Sequence, residues 1–277
     1  MKKIIVTHFN PDLDSVTSVW LIKRFLPGWR EAGVRFVPAG KTLDDKPVDS
    51  NPNVLHVDTG LGRFDHHQRQ EYTCAAKLVL NWLGEKNKRI REDKALERLT
   101  DIVLEIDHFQ EVFWPEPFSD RYEFFLQPMI KGLELVHEDH QKALDFGLLA
   151  LDGVYKIFQN KVWAEKEIER GVKFRTRWGE ALGIETKNDA VIHLAQKMGF
   201  KLVVRKDEQK GYVRIKAIPD PKIDLTPAYK KFKKLDPGAT WFLHVDRHQL
   251  LNGSTHNPEM RPTKLGLEEI IEVLKKC

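Results

Sequence analysis

Cysteine is scarce in this 277-residue sequence: Cys74 and Cys277 lie far apart and lack CxxC spacing. This argues against a cysteine-built zinc site and against a disulfide framework. No apolar run approaches the roughly 20 residues that a membrane helix needs. Acidic residues follow the first apolar run too early for a signal peptide. We therefore expect a cytoplasmic protein with no membrane partner.

Positive and negative charges nearly balance, since the formal net charge is only +4. This is a weak indication of an anionic partner. A hydrophobic content of 41% is enough for the core of one large or two ordinary domains.

Strand-like and helix-like segments alternate in the first half of the chain. Short buried strands are predicted for KKIIVTHFN, GVRFVPAG and NVLHVDTG, and helices for DSVTSVWLIKRFL, CAAKLVLNWLG and KALERLTDIVLEIDHF. Asp14 or Ser15 is expected to cap the first helix, and Gly84 to end the second. The alternation predicts an α/β fold with a mostly parallel sheet.

The later chain has a different pattern. Residues 134–171 read as helical and highly charged, FKLVVRKDEQKGYVRIKAIP as a hairpin, TWFLHVDRHQLL as one strand and KLGLEEIIEVLKKC as a closing helix. We therefore expect an α/β domain over residues 1–150, a helical connector over 151–185 and a smaller α+β domain over 186–277.

Three polar clusters follow the predicted strands of the first domain. They contain His8, Asp12 and Asp14, then Asp58, then the triplet Asp65-His66-His67. Ligands bind beyond the carboxyl ends of strands in open α/β sheets, so the clusters are expected to converge at one edge. Each has a plainer alternative: Asp12 and Asp14 as loop and N-cap residues, Asp58 as a turn residue, and the histidines as surface residues.

The residue types in these clusters indicate the chemistry. Histidine and aspartate without cysteine suit Mn²⁺, Mg²⁺ or Zn²⁺, and the many carboxylates favour manganese, with Mg²⁺ as the alternative. The ligands are too numerous for one ion, so two ions are expected. Two adjacent metals can polarise a phosphoryl group and activate a water.

The motifs HFNPDLDS, VDTG and FDHHQ resemble the DHH phosphoesterase superfamily, whose motifs are H-x-x-x-D-x-D, a lone Asp, DHH and a later Asp. The stretch DTGLGRFDHHQRQEYTCAAKLV is more narrowly similar to the family of the melanocyte-proliferating-gene product, an RNA exonuclease family. The first motif keeps the ordinary DHH spacing and departs from that narrower family. The resemblance spans residues 8–107 and implies that the first domain is a DHH-type catalytic domain.

The resemblance implies a role for each matching residue. His8, Asp12 and Asp58 would hold one metal ion, and Asp14, Asp58, His66 and Asp107 the other, with Asp58 bridging. Asp101 competes with Asp107 for the fourth motif. Asp58, Asp65 and His67 form the catalytic set: Asp65 would orient the histidine pair, and His67, with Arg69 nearby, would contact substrate phosphate.

The second half offers further candidates. The loop LLNGSTHNPEMRPTK takes the place of a Gly-rich substrate loop of DHH proteins, with candidate substrate ligands Gly253, Ser254, His256 and Arg261. It departs from the usual GGGH pattern, and an ordinary loop is the alternative. HEDH, residues 137–140, is expected on one helix as a solvated face rather than a metal site. HVDRH is expected to place His244, Asp246 and His248 on one strand face.

Basic residues and aromatics also interleave between Lys201 and Trp241, which suits either a nucleic-acid platform or a solvated face.

The leading hypothesis is a two-metal phosphoesterase acting on a phosphate-containing substrate, with short RNA or DNA as the first choice. The alternatives are a pyrophosphatase or small phosphate ester hydrolase, and a non-catalytic nucleic-acid-binding protein. The sequence leaves the oligomeric state open.

Overall fold

The computed structural model describes residues 2–253, 257 and 259–277. The chain divides into two compact units, Met1–Gln159 and Asn160–Cys277, and the division falls inside one long helix. Among the helices of the described residues, none is both long enough and apolar enough to cross a bilayer.

A three-stranded parallel sheet forms the centre of the first unit. Its strands are β1 (Ile4–His8), β2 (Gly33–Val37) and β3 (Val54–His56), in the order β2-β1-β3. β1 pairs in parallel with both neighbours, so the carboxyl ends of all three strands lie at one edge. Ile5 and Val6 in β1 are fully buried, as a central strand covered on both faces requires. The predicted α/β fold class is confirmed.

Helices connect and follow these strands. They are α1 (Leu13–Phe25), α2 (Ala75–Lys86), α3 (Lys88–Arg91), α4 (Lys94–Asp107), α5 (Leu126–His137) and α6 (His140–Arg170), with short 3₁₀ helices at Leu43–Asp45, Gln110–Phe113 and Asp120–Phe124. α1 begins one residue earlier than predicted, because its N-cap is Asp12, whose carboxylate accepts from the amide of Ser15. α2 continues two residues past Gly84, and the predicted stop there is wrong.

α4 ends at a candidate ligand. Asp93 caps the helix by accepting from the amides of Ala95 and Leu96. Leu96, Leu99 and Val103 recur at helical spacing and are buried, which fixes one face of α4 against the core. This packing sets the position of Asp107 in the last turn.

The second unit contains a six-stranded mixed sheet in the order β4-β5-β6-β7-β9-β8. The strands are β4 (Val172–Thr176), β5 (Gly179–Glu185), β6 (Leu202–Lys206), β7 (Val213–Ala217), β8 (Trp241–Leu243) and β9 (Gln249–Asn252). The helices are α7 (Ala190–Lys197), α8 (Thr226–Leu235) and α9 (Leu267–Lys275). The predicted hairpin is present as the antiparallel pair β6 and β7, and the predicted closing helix is α9.

Two predictions for this unit are wrong. Residues 172–185 do not continue a helical connector, because β4 and β5 form an antiparallel pair there. TWFLHVDRHQLL is not one strand but the hairpin of β8 and β9. Its turn is stabilised by His244 and Asp246, whose side chains accept from the amides of Asp246 and His248, and Arg247 is left-handed with φ 59°. The expected single face of His244, Asp246 and His248 therefore does not form.

Candidate metal centre

The predicted metal ligands and catalytic residues of the first unit meet at the carboxyl edge of the parallel sheet. His8 is the last residue of β1, and Asp58 follows β3 by two residues. A cavity of about 350 Å³ opens here, lined by His8, Asp12, Ala39, Gly40, Asp58, Leu61, Asp65, His67 and Asp107. Ala39 and Gly40, which follow β2, were missed in the sequence, although their position at a strand end was a usable signal.

His8 points one ring nitrogen at the backbone and the other at carboxylates. Nδ1 lies 2.7 Å from the carbonyl oxygen of Phe9, to which it can donate a hydrogen bond. Nε2 lies 3.1 Å from Oδ2 of Asp58 and 3.9 Å from Oδ1 of Asp12. A proton held on Nδ1 by a carbonyl leaves the Nε2 lone pair for a metal ion, which is the usual arrangement of a metal-binding histidine.

Asp58 lies between the two inward-facing histidines. Its backbone is left-handed, with φ 55°, a conformation that aspartate tolerates better than most residues, and its amide donates to the carbonyl of Phe64. Oδ2 contacts His8, and Oδ1 lies 3.4 Å from Nε2 of His66. The two carboxylate oxygens thus face the two halves of the cluster.

Asp14 is buried in the first turn of α1 and reaches the start of α2. Its Oδ2 accepts from the amide of Ala75 and its Oδ1 from that of Ala76, each at 2.7 Å. A carboxylate has about four lone-pair sites, so each oxygen can still accept one more partner. Oδ2 also lies 3.9 Å from Nε2 of His66. Asp14 therefore joins a helix N-terminus to the cluster.

The three residues of the DHH triplet have different positions. Asp65 anchors the loop, His66 points into the cluster, and His67 is the more exposed histidine. Asp65 is buried and accepts from the amides of Leu61 and His67, and it lies 2.8 Å from Nδ1 of His67. The side chain of His66 is 13% exposed, whereas that of His67 is 62% exposed. Asp65 thus fixes the orientation of the more exposed ring.

Asp107 and Asp101 lie on different sides of α4. Oδ2 of Asp107 is 3.6 Å from Nε2 of His66. Asp101 forms an ion pair with Lys77, and half of its side chain is exposed. The six-residue separation turns the two side chains away from each other, so Asp107 is the one placed beside the cluster.

Charges in the cluster strongly perturb the pKa values of its members. Burial lowers the pKa of His8, but the hydrogen bond to Asp58 and the charge of Asp12 outweigh burial and raise it to about 9. The carboxylate of Asp58 likewise raises the pKa of His66 to about 9, against burial. Burial raises the pKa of Asp58, but His66 and His8 outweigh it and hold that pKa well below its usual range.

The other carboxylates shift in the opposite direction. Burial raises the pKa of Asp107 to about 6, with the charge of His66 opposing. Burial and the neighbouring charge of Asp58 also raise the pKa values of Asp12 and Asp14. Burial and mutual repulsion thus disfavour the charged forms of Asp12, Asp14 and Asp107, which positive charge beside them would stabilise.

Divalent cations fit this set of atoms. Oδ1 of Asp58, Nε2 of His66 and Oδ2 of Asp107 are buried and have no hydrogen-bond partner among the described residues. Ligand atoms about 2.1 Å from an octahedral cation lie about 3 Å apart when adjacent and about 4 Å apart when opposite. The ligand atoms here are separated by 3.1 to 3.9 Å. Nitrogen and carboxylate oxygen without sulfur suit manganese or magnesium.

His108 is a further candidate ligand that was missed in the sequence. Together with His66 and Asp107 it forms one of the three groups among the described residues whose potential ligand atoms lie within 4.8 Å of one another. The other groups are His8, Asp12 and Asp58, and Asp58, His66 and His67. Nε2 of His108 lies 2.9 Å from the carbonyl oxygen of Thr73, to which it can donate, so this nitrogen could bind a cation only after losing that hydrogen bond. Its position directly after Asp107 was the available signal.

Of the five remaining predicted substrate ligands, three are among the described residues. Arg69 donates to the carbonyls of Asp65 and Arg63 and so braces the DHH loop. Gly253 and Arg261 belong to the second unit. Ser254 and His256 lie outside the described residues.

The expectation that HEDH lies on one helix is wrong. α5 ends at His137, Glu138 is left-handed with φ 51°, and His140 begins α6. Nδ1 of His140 accepts from the amide of Asn10, and its ring lies 5.2 Å from that of Phe9. His140 therefore packs on the loop that follows His8 instead of forming a solvated helix face.

Several known structures are similar to this chain at low identity. One, a member of a family of ribosomal proteins with a DHH domain, is 12% identical with a TM-score of 0.34, over 99% of this chain and 86% of that one. RecJ with Mg²⁺ from Thermus thermophilus is 13% identical with a TM-score of 0.31, and the match covers 92% of this chain but 47% of RecJ. An exopolyphosphatase-related protein from Bacteroides fragilis is 11% identical with a TM-score of 0.26, over 99% and 91%.

A comparison with curated proteins found no match. The narrower resemblance to the melanocyte-proliferating-gene family stays a prediction. The family model described as ChrB, C-terminal domain, matches residues 5–158, a segment that contains nearly all of the parallel sheet and every candidate metal ligand. This match extends over more than half of the 277 residues, and the chain therefore belongs to the family of the ChrB C-terminal domain.

Proposed function

We propose that the protein is a divalent-metal-dependent phosphoesterase that hydrolyses P–O bonds. The observation that carries this proposal is the set of buried, unpartnered atoms on Asp58, His66 and Asp107, which face one another at the carboxyl edge of the sheet, with no hydrogen-bond partner among the described residues. Burying such atoms without a partner is costly, and a bound cation would satisfy all three.

The ligands divide into two groups around Asp58. His8, Asp12 and Asp58 would hold one cation, and Asp14, Asp58, His66 and Asp107 the other. Mn²⁺ is the first choice and Mg²⁺ the second, because carboxylates outnumber imidazoles. Bound cations would supply Lewis-acid polarisation of the phosphoryl group and would lower the pKa of a water.

The chain's own side chains would bind and orient the substrate. His67 lines the cavity and is mostly exposed, and Asp65 holds its Nδ1, which leaves Nε2 for a substrate phosphate oxygen. Arg69 keeps the loop that carries both residues in place through its two carbonyl contacts. These contacts support a role for Asp65 in positioning and for His67 in contacting the phosphate.

Short RNA or DNA is the proposed substrate class. Its support is the narrower motif resemblance and the basic residues of the second unit, among them Lys201, Arg205, Lys210, Arg214 and Lys216. Pyrophosphate or a small phosphate ester is the second candidate, which the modest cavity volume of about 350 Å³ favours.

A hydrolysis screen with Mn²⁺ tests the proposal. The substrates are pyrophosphate, cyclic dinucleotides, di- to pentanucleotides and longer RNA, each with an EDTA control. Release of nucleoside monophosphates from short oligonucleotides, abolished by EDTA, is expected. Release of phosphate from pyrophosphate alone would move the substrate to the second class, and metal-independent or absent turnover on every substrate would contradict the proposal.

A further inference from the structure

A second polar pocket lies wholly within the second unit. It has a volume of about 610 Å³, a size common for small-molecule sites. Four cationic side chains line it: Lys187, Arg205, Lys210 and Arg214. Asp189 and Asp207 are the acidic residues of the lining, so cations exceed carboxylates by two.

Arg205 is the buried cationic residue in the lining of this pocket. It is 4% exposed, and its Nε is buried without a hydrogen-bond partner among the described residues. Nη1 donates to the carbonyl of Thr186, and Nη2 lies 2.8 Å from Oδ1 of Asp189. The contacts with Thr186 and Asp189 hold the guanidinium in a fixed orientation at the wall of the pocket.

Asp189 places a planar carboxylate against two guanidinium groups of the pocket. Its Oδ1 contacts Arg205, and its Oδ2 lies 2.5 Å from Nη1 of Arg214, so one carboxylate bridges two guanidinium groups. Arginine pairs of this kind bind phosphate in the same manner. The side chain of Asp189 is 49% exposed, so an incoming anion would compete with it for the two guanidinium groups.

Asp207 forms its hydrogen bonds within the hairpin instead. Its Oδ1 accepts from the amides of Gln209 and Lys210, which shapes the turn between β6 and β7. Its Oδ2 stays 3.7 Å from Nη1 of Arg205. Asp189 is therefore the carboxylate that competes with a bound anion.

Aromatic side chains lie in the same lining. Trp163 is 38% exposed, and Tyr212 is half-buried with Nζ of Lys210 6.0 Å from its ring centroid. Gly253, in the left-handed region with φ 78°, is packed so closely against Tyr212 that a Cβ there would overlap the ring. Gly253 belongs to the predicted substrate loop, and its backbone thus packs against an aromatic ring of this pocket.

We propose that this pocket binds the phosphate of a nucleotide, with the base against its aromatic lining. The ligand is either a free mononucleotide or the end of a short oligonucleotide, since both present a phosphate next to a base. Guanidinium groups bind the phosphate oxygens, and bases stack on aromatic rings regardless of their identity. The binding does not depend on the proposed hydrolysis.

Calorimetric titration of the full chain in EDTA tests the proposal, because hydrolysis at the candidate metal centre is then suppressed. AMP, adenosine and inorganic phosphate are compared, together with a 5′-phosphorylated trinucleotide. AMP is expected to bind more tightly than adenosine or phosphate alone. Tighter binding of the trinucleotide than of AMP would support an oligonucleotide end as the ligand. Equal affinities for the trinucleotide and AMP would support a mononucleotide. Binding of neither AMP nor the trinucleotide would overturn the proposal.

Three variants assign that binding to this pocket. Arg214→Gln is expected to weaken AMP binding about tenfold or more, since a charge-assisted hydrogen bond is lost. Asp189→Asn removes the competing carboxylate and is expected to strengthen binding several-fold, an effect opposite in sign. Gly253→Ala displaces Tyr212 and is expected to weaken binding.

Lys222→Gln is the matched control, because Lys222 is exposed and lies outside the pocket lining while its loss changes the charge equally. Lys210→Gln serves as a second cation variant if Arg214→Gln does not fold by circular dichroism. Equal affinities of the control and the cation variants would overturn the proposal, as would weakened binding in Asp189→Asn.

Discussion

Nε2 of His66 lies 3.4 Å from Oδ1 of Asp58, and neither atom has a hydrogen-bond partner among the described residues. An unsatisfied buried polar group costs about 1–3 kcal/mol, so such a pair is expected where a ligand completes it. The pair joins the strand-end aspartate to the DHH triplet, which places the proposed cation between two separate sequence motifs.

Added Mn²⁺ is expected to stabilise the fold. Cations bind the native carboxylate cluster and not the unfolded chain, so saturation at about 100 times the dissociation constant adds about 2.7 kcal/mol for each site. The measurement is the thermal unfolding temperature with Mn²⁺ and with EDTA. Asp58→Asn should show a much smaller increase, and an equal increase in this variant would place the stabilising cation elsewhere.

Asp107→Asn is expected to reduce metal-dependent hydrolysis by about 100-fold, because a ligand of one proposed cation is weakened at the same side-chain volume. Asp101→Asn is its matched control on the same helix, since Asp101 is half-exposed and paired with Lys77. Turnover rates at saturating Mn²⁺ give the comparison. Comparable losses of turnover in both variants would show that the rate depends on the negative charge of α4 rather than on ligation by Asp107.

Asp93→Ala is expected to lower the free energy of unfolding by about 2–3 kcal/mol. The variant loses the N-cap of α4 and the hydrogen bond that the hydroxyl of Tyr155 donates to Oδ2. Urea denaturation followed by circular dichroism measures the change. Glu92→Ala, an exposed neighbour, should cost less than about 0.5 kcal/mol, and a similar cost for both would contradict the role of the cap.

The two thiols are expected to differ in reactivity. Cys74 is fully buried, and burial together with the charge of Asp14 raises the pKa of its thiol, so little thiolate is present at pH 8. Cys277 is partly exposed. A thiol reagent at pH 8 should therefore modify one cysteine in the native protein and two in denaturant. Rapid modification of Cys74 in the native protein would show that the core around α2 opens.

Strand ends were the most predictable feature of the candidate site. The apolar runs before His8 and Asp58 identified two buried strands, and parallel pairing then requires their carboxyl ends to meet. The position of Asp107 relative to Asp101 depended on which face of α4 is buried. Periodicity leaves that choice open at the end of a helix, where Ile106 is only half-buried.

Other features depended on contacts that spacing does not encode. The bonds from Asp14 to Ala75 and Ala76 join positions 61 and 62 residues apart. The turn at Arg247 arises from side chains of His244 and Asp246 that compete with the strand for backbone amides. In each case a polar side chain forms a hydrogen bond with the backbone. The pattern of hydrophobic residues does not predict which backbone group is the partner.

Asp58→Ala, assayed for Mn²⁺ stoichiometry and for hydrolysis of phosphodiester substrates on the same preparation, tests the proposed centre most directly. Two Mn²⁺ per chain and EDTA-sensitive turnover are expected for the unmodified protein. The variant, shown to be folded by circular dichroism, should bind fewer ions and lose turnover. Unchanged stoichiometry and unchanged hydrolysis in Asp58→Ala would contradict the proposal that this aspartate bridges two catalytic cations.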